Sequence, residues 1–164
     1  MTNKEIYVLS AKQISIQQPL SEEWMNNPNS YEPAFYRSID PSFKEYVSPI
    51  EARRMGKILK RALATSKEAL KASGLETVDA IVTGTGYGCI ENTEFFLDAL
   101  SKEGEKLLKP TYFMQSTHNT ISSLIAIQAK NHRNGGLSAN FVVETYYAAF
   151  FQDLIKLHTL LALL

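Results

Sequence analysis

Val78-Asp79-Ala80-Ile81-Val82-Thr83 runs into Gly84-Thr85-Gly86-Tyr87-Gly88-Cys89, and Glu91 to Leu100 follows with Phe95, Phe96, Ala99 and Leu100 at helical spacing. A short, mostly apolar run bounded by glycines predicts a buried strand, and the spacing after it predicts a helix. Strand, glycine turn and helix in this order are the unit of an α/β fold. A dinucleotide-binding turn needs Gly-x-Gly-x-x-Gly, so that backbone approaches a pyrophosphate at a helix N-terminus. Here the third glycine comes one position early and Cys89 follows it. The spacing favours a turn that needs flexible backbone over one that holds a nucleotide.

Upstream, Ser48-Pro49-Ile50-Glu51 has the form of a capping box with proline at the first helical position. Met55, Ile58, Leu59, Ala62, Leu63, Ala69 and Leu70 recur on one helical face, and Gly74 is a natural stop. One long amphipathic helix is predicted over 49–73. Before it, Ile6 to Gln17 reads as a bent strand or hairpin, and residues 18–47 form a long, aromatic-rich loop that packs down on the rest. Downstream, residues 101–116 read as a polar connection. Thr117 or Asn119 caps a helix carrying Ile121, Leu124 and Ile125 and ending near Asn131. Phe141 to Thr145 is the third strand, and Tyr147 to Leu164 a last helix, apolar almost all round. The alternation predicts an α/β layered fold, with a small, mostly parallel sheet flanked by helices, in a single domain over 1–164. So small a sheet leaves the last helix partly uncovered, which points to an oligomer.

Composition narrows the function. Among 164 residues, Lys+Arg and Asp+Glu number 17 each, so the formal net charge is zero and nucleic-acid coating is not expected. One cysteine permits neither an internal disulfide nor a cysteine zinc site, and suits a reducing, cytoplasmic setting. No apolar run is long enough to suggest a membrane span. Cys89 lies beside the predicted start of a helix, where the dipole can lower a thiol pKa, but the reading the sequence favours is a small buried apolar residue. Within Thr117-His118-Asn119-Thr120 a plain cap at Asn119 is the default reading, and His118, placed where it could polarise a carbonyl, is the alternative. Three scattered histidines, His118, His132 and His158, have no metal-ligand spacing, and no cofactor is expected. Arg53, Lys57 and Lys60, with Lys67 and Lys71, form a basic stripe: a solvated helix face, or a surface for an acidic partner.

Several of these segments, in order, resemble β-ketoacyl synthases. Ser48-Pro49-x-x-Ala52-Arg53-Arg54-Met55, leading to Glu68-Ala69-Leu70-Lys71-Ala72-Ser73-Gly74-Leu75, is similar to the first long helix of that family. Asp79 to Cys89 with Glu91-Asn92-Thr93-Glu94-Phe95-Phe96 is similar to its second strand, glycine turn and following helix. Pro110-Thr111-Tyr112-Phe113-Met114-Gln115-Ser116-Thr117-His118-Asn119 is similar to the segment before its nucleophile strand. The wording is nearest to synthase-like proteins of bacterial aryl polyene and flexirubin pigment pathways. The resemblance implies the N-terminal part of a thiolase fold, an acyl carrier protein as partner, and pairing with itself or a full-length synthase.

The resemblance also implies where the chemistry departs. The family's nucleophile is a cysteine after the third strand, and aligning Asn140 to Thr145 with that strand puts Tyr147 in its place. A phenol with pKa near 10 does not replace a thiolate in acyl exchange. The family's two catalytic histidines belong to a C-terminal half for which this chain has no counterpart, so the domain is expected to be incomplete relative to the full fold. The expected function is therefore a non-catalytic, chain-length-factor-like subunit in acyl-carrier-dependent pigment or fatty-acid-like biosynthesis. The alternatives are a small acyltransferase or thioesterase-like enzyme using Cys89 or His118, and an inactive truncated synthase fragment. Arg53, Lys57 and Lys60 would meet the carrier protein.

Overall fold

The computed structural model describes residues 7–21, 23–30, 37–78, 80–85, 87–105, 108–117, 119–130, 142–143 and 160–163. Helix α1 (Pro49–Ala52) begins as its sequence predicts. The Glu51 backbone N–H donates to Ser48 Oγ at 3.3 Å, the Ser48 N–H donates back to Glu51 Oε2 at 3.3 Å, and Pro49 takes the first turn. The helix then stops. Residues 53–56 leave the helical path, and α2 (Lys57–Ser73) starts afresh with Gly56 as its N-cap in extended backbone. The single helix expected over 49–73 is thus two, divided just before a glycine that disfavours a helix interior. Gly56 is buried against the start of the next helix, where a β-carbon would lie 2.7 Å from both Asn92 Oδ1 and Glu91 Oε2. The far end of α2 follows the local signal: Gly74 caps it at φ 73°, a left-handed conformation glycine adopts without strain.

Strand β1 (Ala80–Gly84) follows, with Ile81, Val82 and Thr83 all buried. Consecutive buried residues mean that both faces of the strand are covered. Helix α3 (Ile90–Glu103) is longer than expected, and within it Phe96, Ala99 and Leu100 are half-buried while Phe95 is exposed. The expected polar connection over 101–116 contains a helix, α4 (Pro110–Ser116), again with proline in its first turn. It packs on α3, with Phe95 against Tyr112 and Phe96 against Phe113 at ring-centroid separations of 5.7 and 5.6 Å. Helix α5 (Thr120–Gln128) lies against α2 and β1. Val47, Leu59, Leu63, Val78, Ile81, Cys89, Ile121 and Ile125 form the core between them. Each large aliphatic side chain so buried contributes about 1.5–3 kcal/mol of transfer free energy.

The expected layered α/β architecture needs correction. The described residues form a mostly helical body in which β1 is the one strand longer than four residues. Its parallel neighbours are short: β2 (Val142–Val143) faces Thr83 and Gly84, and β3 (Leu160–Leu163) faces Ala80 to Thr83, in the order β2-β1-β3. Residues 7–17, expected as a strand, form none. Tyr7, Val8 and Leu9 are exposed, and Ser10 Oγ ties the segment to α2 by donating to the Ala69 carbonyl at 2.7 Å. β-Prone side chains make a strand only where a neighbouring strand accepts them. The loop that follows closes on itself: the Ile39 N–H donates to the Ser15 carbonyl at 2.7 Å, and the Gln17 side chain both donates to and accepts from the Asn29 backbone. Of the expected last helix, Leu160–Leu163 is instead strand β3 and the remainder lies outside the described residues. A leucine run shows no period that separates helix from buried strand. Among the described residues no helix is long and apolar enough to cross a membrane.

Candidate functional site

The chemistry-bearing residues gather where β1 turns into α3. The strand ends at Gly84, and Thr85 Oγ1 accepts a hydrogen bond from the Gly88 N–H at 2.9 Å, which tightens the turn. Gly88 takes φ 57°, so the turn uses the conformational freedom its glycines predict. Cys89 then stands at the N-cap of α3, and its carbonyl accepts the N–H groups of Asn92 at 2.9 Å and Thr93 at 3.2 Å. The sulfur caps nothing. It is fully buried in the core cluster that includes Val78, Ile81 and Ile121.

That burial decides the thiol's chemistry. A helix N-terminus stabilises a thiolate and lowers its pKa. Desolvation acts the other way, because a thiolate in an apolar core loses its hydration. Here desolvation wins, and the Cys89 thiol is pushed up to about 11. The small buried apolar role that the sequence favours for Cys89 is what the structure shows, and the lowered pKa weighed against it is not. At neutral pH roughly one molecule in 10⁴ carries the thiolate.

The other sequence candidates separate. His118, His132, His158 and Tyr147 lie outside the described residues. Asn119 occupies the N-cap of α5, but its side chain makes no capping bond. The turn is closed instead by hydroxyls: Thr117 Oγ1 and Thr120 Oγ1 are 2.9 Å apart, and Thr120 Oγ1 donates to the Met114 carbonyl at 2.9 Å. Arg53 ends α1, Lys57 opens α2 and Lys60 lies one turn on, the first two exposed and the third half-buried. The break at Gly56 puts Arg53 on a different element from the two lysines, so the stripe expected on one helix is split. Farther along, Lys67 is engaged within the chain: its Nζ donates to the Glu45 carbonyl at 3.1 Å and lies over the Tyr46 ring.

Sequence reasoning missed the residues that hold the turn in place. Glu91, in the first turn of α3, accepts the Lys57 N–H at 2.8 Å and so caps α2 from another element. A carboxylate there also meets the positive end of the α2 dipole. Asn92 is buried, and its Nδ2 donates to Gln115 Oε1 on α4 at 2.9 Å. Thr83 Oγ1 is buried with no hydrogen-bond partner among the described residues. In the sequence the hub shows only as an asparagine beside an acidic residue, Glu91-Asn92, and an Asn codes for no partner by itself. Among the described residues no group of three or more His, Cys, Asp or Glu side chains could hold a metal ion.

Comparison with curated proteins finds no match. Comparison with protein families does: residues 9–148 match the N-terminal domain of β-ketoacyl synthases. The match runs from the N-terminal segment through both helices at Gly56, the glycine turn, Cys89 and the α3–α4 pair, and reaches Tyr147. On that extent this chain belongs to the β-ketoacyl synthase family, by way of the family's N-terminal domain.

Proposed function

We propose that this chain is a β-ketoacyl synthase N-terminal domain that does not itself carry an acyl group or condense one. The observation that carries this reading is Cys89. It is the chain's one cysteine, and it is buried with its thiol held protonated by desolvation. Acyl exchange in this family's manner needs an accessible thiolate. By the family resemblance Tyr147 falls at the nucleophile position and would offer a phenol in its place. The small acyltransferase or thioesterase reading, built on Cys89 or His118, loses its thiol nucleophile on the same ground, and His118 lies outside the described residues.

The exposed cations at Arg53 and Lys57 favour a second reading, in which the domain is a chain-length-factor-like companion. It would pair with a full-length synthase or with itself in aryl polyene or flexirubin pigment biosynthesis. Acyl carrier proteins are acidic, and complementary charge steers such partners together at low salt. One titration with an acyl-loaded carrier protein, followed by intact mass spectrometry, tests both readings. The first predicts no acyl adduct at any salt. The second adds salt-sensitive binding that disappears when Arg53, Lys57 and Lys60 are changed to Glu. Stable acylation lost in Cys89→Ser would overturn both; binding that ignores the charge reversal would sink the second alone.

A further inference from the structure

We draw no further inference here: the strongest candidate, the exposed apolar side chains of Phe95, Phe113 and Met114 on the α3–α4 pair, carries nothing because nothing in the structure shows what covers them.

Discussion

Two helix starts meet in this domain, and they treat the same physical resource in opposite ways. At the start of α2, Gly56 brings no side chain, and Glu91 reaches across from α3 to accept the Lys57 N–H at 2.8 Å. At the start of α3, Cys89 has a side chain suited to exploit the dipole and does not use it. The first start is polar and closed by a charge. The second is apolar and sealed into the core, and its thiol moves up in pKa rather than down. The difference teaches that a helix terminus activates a thiol only where the thiolate keeps its hydration or meets a cation. Position along the chain is not enough.

The largest expected effect tests the sealed start. A thiol raised to about 11 in the folded state, from about 9 when unfolded, favours the native protein fully below pH 9. Between those values the unfolded chain has released the proton and the native one has not. Stability therefore falls as pH rises from about 9 to about 11, by roughly 2–3 kcal/mol for a shift of this size. Urea unfolding across that window should show the fall in the wild type, and Cys89→Ala should lack this component. Equal slopes in the two proteins would mean that the thiol is hydrated after all.

Next comes the open start. Gly56→Ala places a methyl group 2.7 Å from Asn92 Oδ1 and Glu91 Oε2. Glu91 can swing aside, but Asn92 is buried and bonded to Gln115. Overpacking at such a site costs about 1–3 kcal/mol, whereas alanine in an ordinary helix position is favourable relative to glycine. A stabilised Gly56→Ala protein in the same urea assay would show that the close approach is absent in solution. Glu91→Ala should cost about 1 kcal/mol through the lost cap, and Glu91→Gln less, since its amide oxygen still accepts. The two positions touch, so a Gly56→Ala/Glu91→Ala double mutant should lose less than the sum of the singles. Ser48→Ala, at the local box of α1, is the smallest change. It should cost about 0.5–1 kcal/mol and add independently of Glu91→Ala, because the two caps share no partner.

What was legible in the chain follows the same division. The Ser48–Glu51 box, the Gly74 stop, the strand at Ala80 and the glycine turn all rest on residues within a few positions of one another, and each appears where its residues place it. The helix break falls at Gly56, itself a residue that disfavours a helix interior, while the close contact that leaves no room for a side chain there comes from Glu91 and Asn92, more than thirty positions away. Ile6 to Gln17 has the side chains of a strand, yet residues 7–17 form none, because strand formation is settled by neighbours rather than propensity. The sequence also located Cys89 at a helix start, and the small buried apolar role it favours there is the one the structure shows, while the lowered pKa weighed against it has the opposite sign in the fold. Burial, the term that decides that sign, is a property of the packed core formed with Val78, Ile81 and Ile121. The family was legible earlier than the architecture, since ordered short motifs survive where element boundaries do not.

Burial makes Cys89 unavailable as a nucleophile, and alkylation kinetics measure that directly. Native protein treated with excess iodoacetamide at pH 7.5 (a condition chosen for the assay, about an ordinary thiol's working range) should react at Cys89 orders of magnitude more slowly than the same protein in denaturing urea. Labelling of the native protein at the rate of the unfolded chain, or faster, would contradict it.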